Sequence, residues 1–152
     1  MKITKRSIRY FTLFKLPLVY FSGIRITIVN SDRVEASVKL KWINQNPFRS
    51  MFWAVQGMAA ELTSGVLLMR EIEAQKEPVS MLLIETKASF SKKAKGKIRF
   101  SCDDGKGAKD LIDQAILSDN GQRRWFTSIG TDENGDVVSH FQFHWSVKSK
   151  SR

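Results

Sequence analysis

The chain has 152 residues, 42% apolar and 26% charged, a globular balance that excludes a disordered, collagen-like or fibrous protein. Lys and Arg total 25 against 15 Asp and Glu, a net charge of +10, and the single cysteine, Cys102, excludes an internal disulfide and a two-cysteine zinc knuckle. The length suits one domain, and no linker, repeat or low-complexity stretch divides it.

The positive charge is clustered. Residues 1–23 carry Lys2, Lys5, Arg6, Arg9 and Lys15 without an acid, a second group runs Lys92, Lys93, Lys95, Lys97, Arg99, and the tail ends in Lys148, Lys150, Arg152. Such groups suit nucleic acid, anionic lipid or a phosphorylated cofactor, although a solvated basic surface is the simpler reading. Lys15 and Pro17 interrupt the apolar run from Tyr10 to Phe21, and no small-residue cleavage site follows. This segment is expected to be a helix ending before Pro17, with its apolar face packed on the domain. Attachment to a membrane surface is the second reading. With no export signal and a lone thiol, a cytoplasmic home is expected.

From Gly23 a period of two takes over, Ile24, Ile26 and Ile28 alternating with Arg25 and Thr27. Beyond Asn30-Ser31-Asp32, Val34, Ala36, Val38, Leu40 and Trp42 share one face while Arg33 to Lys41 supply the polar one, so the two runs form an antiparallel hairpin. Asn44-Gln45-Asn46-Pro47 is a stop, after which Ser50 is expected to cap a helix from Met51 to about Gln75, with Pro78 ending it. Ser50–Met69 is apolar or small nearly all round and long enough for a bilayer. Its Gln56, Glu61, Thr63, Ser64 and two glycines, and the amphipathic strands that need cover, put it in a protein core instead.

Strands then resume. Leu82, Ile84, Thr86, Ala88 and Phe90 share a face, and Ile98, Phe100 and Cys102 alternate with Lys97, Arg99 and Ser101. Ala108, Leu111, Ile112, Ala115 and Ile116 mark a short amphipathic helix stopped by Asp119-Asn120-Gly121. Strands from about Gln122 to Thr131 and Val137 to Lys148 are joined by a turn containing Asn134-Gly135. The last has Phe141, Phe143, Trp145 and Val147 as its core face, with His140, Gln142 and His144 opposite. The expected class is α+β: about six antiparallel strands wrapped around one long central helix, with an N-terminal helix and a short helix between strands four and five.

Familiar site motifs fail. Gly105-Lys106-Gly107-Ala108-Lys109 lacks phosphate-loop spacing, Val137 occupies the turn-glycine position of a calcium loop at Asp132, and His140 and His144 lack further metal ligands. Cys102 reads as a small core residue. Glu61 stands out as the one ionisable residue between Arg49 and Arg70, with Gly57 and Gly65 one turn away on either side. A lone buried carboxylate is costly, and the glycines leave room beside it for a ligand or for a close-packed backbone. A satisfied structural carboxylate and a functional one are equally compatible with this pattern.

The element order resembles the hotdog fold, and Asn46 to Glu61 resembles the helix entry of phenylacetate-pathway-type acyl-CoA thioesterases in that fold. There an Asn is followed six residues on by His-Gly-Gly and fifteen residues on by an acid; here Asn46 and Glu61 keep the interval, while Phe52, Trp53 and Ala54 occupy the His-Gly-Gly positions. Asn-Pro-Phe-Arg-Ser-Met, Ala-Ala-Glu-Leu and the closing His-Trp-Ser-Val-Lys are similar to an uncharacterised bacterial branch of such proteins. The resemblance implies one hotdog-like domain over 1–152, with residues 1–22 packed on it as a helical segment. It implies Glu61 and Asn46 as catalytic residues, N–H groups near Phe52, Trp53 and Ala54 binding the thioester oxygen, and Gln56 and Gly57 at the substrate. Lys95, Lys97 and Arg99 are candidates for the phosphates of coenzyme A, which would be part of the substrate; no other cofactor and no metal is implied. A rise of ~1.5 Å per residue separates Phe52 from Glu61 by about 13 Å, so one site needs two copies, a homodimer or tetramer. Three functions follow: hydrolysis of an acyl thioester, binding of one without turnover, favoured by the missing His-Gly-Gly, and, ranked last for want of a motif, nucleic-acid binding.

Overall fold

A computed structural model describes residues 2–118 and 120–150; Asp119 of the expected helix stop and Arg152 of the basic tail lie outside the described residues. Thr4 and Ser7 cap the first helix reciprocally, Ser7 N–H donating to Thr4 Oγ1 at 3.1 Å and Thr4 N–H to Ser7 Oγ at 2.9 Å. Helix α1 spans Lys5–Lys15, and Pro17 starts a separate short helix, α2, Pro17–Phe21. Ile8, Thr12 and Val19 are their buried residues. Phe11 and Tyr20 are half-buried, while Tyr10, Phe14 and Phe21 face out.

Strands β1 (Arg25–Val29) and β2 (Val34–Lys39) form the expected hairpin, with Val34, Ala36 and Val38 in the core. Trp42 departs from expectation. The strand ends at Lys39 because Asn44 intervenes: its Nδ2 donates to the Lys39 carbonyl at 2.9 Å and its Oδ1 accepts from Lys41 N–H at 2.8 Å. The chain turns into a 3-10 helix, Trp42–Asn44, and rotates Trp42 into solvent. Ser50 does not cap the long helix either. Its N–H and hydroxyl are tied to Asn46, Met51 bridges Gln45, and helix α3 runs Trp53–Glu73 from Phe52, which supplies no side-chain cap.

Strands β3 (Val79–Phe90) and β4 (Lys97–Cys102), helix α4 (Gly105–Leu117) and strands β5 (Gln122–Thr131) and β6 (Val137–Ser149) complete the order. The six strands pair antiparallel in the sequence β1-β2-β4-β5-β6-β3. The sheet wraps α3, whose Ala59, Ala60, Val66, Leu67 and Leu68 are buried against inward-facing Phe100, Phe126, Phe141 and Phe143. Two polar contacts fix the helix on the sheet: Thr63 Oγ1 and Ser128 Oγ lie 2.9 Å apart, and Trp145 Nε1 donates to Ser64 Oγ at 3.0 Å. Cys102 is fully buried and its thiol is pushed up to about 12 by that burial, as befits an inert core residue.

On β3 one extra residue changes the face. Leu83 is opposite Trp145 and Glu85 is opposite His144, so Ile84 is a bulge with no partner of its own. Beyond it Thr86, Ala88 and Phe90 meet Phe143, Phe141 and Ser139 on the helix side, but before it the helix side is Met81 and Leu83. Leu82, expected to share the face of Thr86, points the other way; the alternation is sound on each side of the bulge and inverted across it.

Helix α4 packs against α3, β5 and β6, its Ala108, Leu111, Ile112 and Ala115 in the core and its first turn capped by Asp104, which accepts from Gly107 N–H at 3.0 Å. Gly105 abuts backbone there: a Cβ on it would sit within contact-forbidden distance of the Ser31 carbonyl and 2.7 Å from Asp32 Cα. Gly105→Ala is expected to lower stability by about 1–3 kcal/mol, as overpacking against unyielding atoms does. Urea denaturation checks this; an unchanged midpoint would mean that the loop at Ser31 yields freely.

Candidate functional site

The first turns of α3 present Trp53, Ala54, Gly57, Met58 and Glu61 along one stripe, at the helical spacing of i, i+4 and i+8. The stripe faces β3 and the inner side of β6, leaving a cleft of about 430 Å³ closed by Leu83, Thr86, Ala88, Phe141 and Phe143. Glu61 is the one ionisable residue lining it. No hydrogen bond or ion pair engages its carboxylate among the described residues. One oxygen lies 3.4 Å from where a Cβ would stand on Gly65, beside the Trp145 indole. The neighbouring polar groups are taken: Ser64 Oγ donates to the Glu61 carbonyl at 3.0 Å and accepts from Trp145. Burial among apolar groups raises the Glu61 carboxyl above the ordinary glutamate range.

A second cleft, of about 570 Å³, lies at the start of the same helix between the 46–52 loop and the end of β3. Asn46, Phe52, Trp53 and Gln56 line it together with Phe48, Phe90, Lys92 and Lys93. The structure thus divides the expected site residues. Trp53, Ala54, Gly57 and Glu61 share one cleft, Asn46, Phe52, Trp53 and Gln56 the other, and Trp53 is common to both. Asn46 is a loop organiser: its Oδ1 accepts from Phe48 N–H at 2.9 Å and Ser50 N–H at 3.2 Å, and its Nδ2 donates to Ser50 Oγ at 3.0 Å. Gln56 is buried and donates to the Met51 carbonyl at 3.3 Å, and its Oε1 has no partner among the described residues.

Lys97 and Arg99 line neither cleft. They alternate with the fully buried Ile98 and Phe100, which sends them to the outer face of the sheet, while α3 lies on the inner one. Lys95, in the turn before β4, is exposed and also outside both linings. Of the basic run, Lys92 and Lys93 reach a cleft. Lys92 is held by Asp132 at 2.6 Å and Asp136 at 2.7 Å, whereas Lys93 has its Nζ 6.0 Å from the centre of the exposed Phe48 ring. The linings contributed by β3 and β6 escaped sequence reasoning. Phe141 and Phe143 carry the pattern of ordinary core residues, and Thr86 and Ala88 reach the cleft through strand pairing that no local pattern encodes.

The fold recurs in solved structures over nearly the whole chain. PA5026 of Pseudomonas aeruginosa, a protein of unknown function described as a "Probable Thioesterase", matches with a TM-score of 0.84 at 24% identity over 98% of each chain. Thioesterase HI1161 of Haemophilus influenzae matches at 0.72 and 16% identity, over 98% of this chain and 93% of that one. A mutant of thioesterase PA1618 of Pseudomonas aeruginosa matches at 0.70 and 12% identity, over 98% and 96%. The shared architecture defines a hotdog-fold protein, a six-stranded antiparallel sheet around one long helix. The chain belongs to the family described as "Domain of unknown function (DUF4442)", whose model matches residues 4–147. No curated protein matches it.

A carboxyl group with a raised folded-state pKa stabilises the fold at low pH and loses that contribution as pH rises through the folded value. Glu61→Gln is therefore expected to raise the melting temperature at pH 7, with the difference from wild type shrinking as pH falls through the ordinary glutamate range. Differential scanning calorimetry at several pH values checks this. A difference that is constant with pH would mean that the Glu61 carboxyl is unperturbed, and one that favours wild type increasingly as pH rises would mean that it is paired.

Proposed function

We propose that the chain is an acyl-thioester hydrolase of the acyl-CoA type, working as a homodimer or a tetramer built from such dimers. The observation that carries the reading is the Glu61 carboxylate, without a partner among the described residues, lining a largely apolar cleft. Apolar walls accept an acyl chain, and a carboxyl group raised toward neutral pH is a better matched general base than an ordinary one. In the reaction Glu61 takes a proton from water as the water oxygen attacks the thioester carbonyl. The oxyanion is stabilised by free N–H groups in the first turn of α3 near Trp53 and Ala54, where the positive end of the helix dipole adds to the hydrogen bonds. Collapse expels the thiolate, which takes the proton back from Glu61, giving a carboxylic acid and a thiol and restoring the carboxylate. No imidazole is required at Phe52, because the oxyanion donors are backbone groups.

One helix cannot present both parts to a single carbonyl, so the donors come from one copy and the carboxylate from another. The exposed edge of β3 supports this. The strand is twelve residues long and pairs only on its β6 side, and it exposes Leu82, Ile84 and Phe90. A long apolar edge left open invites strand addition, and a second copy of the same edge closes it beside both clefts. Lys93 at the mouth of the second cleft is better placed for coenzyme A phosphates than Lys97 or Arg99 on the far face. A second reading, binding of the thioester without turnover, is favoured by one feature: the bulky Trp53, common to both clefts, stands between them where the related motif has glycine.

Steady-state hydrolysis of acyl-CoA thioesters across chain lengths tests the proposal. Turnover is expected to fall about 100-fold or more in Glu61→Gln, the usual contribution of a general base. Saturable binding with no turnover in either protein would establish the second reading, and equal turnover in both would remove Glu61 from the chemistry. For the assembly, Ile84→Lys at the exposed β3 bulge is expected to halve the mass measured by light scattering. A wild-type monomer at micromolar concentration would contradict the shared site.

A further inference from the structure

The first two helices leave their aromatic side in solvent. With Ile8 and Thr12 of α1 facing the core, Tyr10 and Phe14 project from the opposite side one turn apart, Phe14 being 74% exposed. On α2, Leu18 and Phe21 stand three residues apart at 70% and 62% exposure. The 3-10 helix lies against the end of α2, because the buried Asn44 donates Nδ2 to the Ser22 carbonyl at 3.1 Å, and it adds Trp42 at 84% exposure and Ile43 beside it. Single exposed apolar residues are ordinary on a soluble domain, but this many large ones on adjoining elements mark an interaction surface.

Charge selects the occupant. Lys5, Arg6 and Arg9 border the neighbouring cleft beside Ile8 and Thr12, and Lys15 ends α1; none of the four forms an ion pair with a described carboxylate, and no acid occurs in the sequence before Asp32. Arg6 lies one turn before Tyr10 on the same side of α1. A second copy would bring the same cations face to face. An acidic protein would match the cations, yet would have to supply a broad apolar surface as well. A bilayer containing anionic phospholipid supplies both, phosphate for the cations and an acyl boundary for Trp42, Phe14, Leu18 and Phe21. We propose that the α1–α2 surface with Trp42 docks on an anionic phospholipid bilayer, lying in the headgroup plane. Among the described residues no helix is long and apolar enough to cross a membrane, which agrees with lying on the surface.

The docked surface adjoins the site. Phe52 N–H donates to the Asn44 carbonyl at 2.9 Å, so the turn that holds Trp42 is bonded directly to the start of α3, where the second cleft opens. The docking itself does not rest on the hydrolase reading, and its test needs no activity.

The experiment is flotation of the full chain with vesicles of phosphatidylcholine alone and of phosphatidylcholine with about one third phosphatidylglycerol. The protein is expected to float with the anionic vesicles, to remain largely behind with the neutral ones, and to be released by high salt. Trp42→Ser with Phe14→Ser, and separately Lys5→Gln with Arg9→Gln, are each expected to weaken binding about tenfold or more. Circular dichroism and the melting temperature should stay unchanged, since the substituted side chains are exposed. Failure to float with anionic vesicles, or equal binding to neutral and anionic ones, overturns the proposal. So does a Trp42→Ser variant that binds vesicles normally while its oligomer falls apart in light scattering, because a second copy would then be the occupant.

Discussion

A carboxylate without a partner, set against the apolar face of a buried helix, is the constraint around which this molecule is organised. Helix α3 must be apolar because a sheet wraps it, and in such surroundings an ionised side chain costs free energy unless something answers its charge. Among the described residues nothing does for Glu61. The cost is offset by the rest of the helix, whose Ala59, Ala60, Leu67 and Leu68 are fully buried and whose Thr63 and Ser64 have found Ser128 and Trp145. The contrast is informative. Two neighbouring polar side chains are satisfied by the sheet, while the one charged side chain before Arg70 is left facing open space.

That space exists because small residues line it. Gly57 and Ala54 on α3 stand opposite Ala88 and Thr86 on β3, so helix and strand meet without filling the gap. A Cβ on Gly57 would lie 3.5 Å from the Phe141 ring, ordinary contact, so packing alone does not require glycine there. The bulge at Ile84 completes the arrangement. It turns Leu83 toward the cleft and leaves Leu82 on the opposite face of a strand that has no neighbour on its outer side. Cleft, carboxylate and open edge therefore occupy one region of the surface, which is the geometry expected of a site completed by a second copy.

Much of this was legible from local pattern. The alternation in Val34–Val38 and Phe141–Val147, the apolar run before Arg70 and the Asn-Gly turn each report a period or a turn type that neighbouring residues alone determine. Glu61 was conspicuous for the same reason, as one charge in an apolar stretch. The misreadings share a different cause. Trp42 continues an alternation and so reads as core, but Asn44 ends the strand by bonding Lys39 and Lys41, and a side chain that turns back on its own backbone is invisible to a periodicity count. Leu82 went to the wrong face because a bulge is defined by the partner strand. Ser50 looked like a cap, yet Asn46 claims it for a tight loop. Lys97 and Arg99 have charge suited to phosphates, and only the placement of α3 on the inner face tells that they point away from the clefts.

The central claim is that Glu61 of one copy and the first turn of α3 of another act on the same carbonyl. A crystal structure with a non-hydrolysable acyl-CoA analogue tests it most directly. The account expects the analogue's carbonyl oxygen within hydrogen-bond distance of N–H groups near Trp53 and Ala54, its acyl chain among Phe141, Phe143 and Ala88, and the Glu61 carboxylate of the adjoining copy facing the carbonyl carbon. An analogue bound elsewhere, or a Glu61 carboxylate locked in an ion pair across the interface, would contradict it.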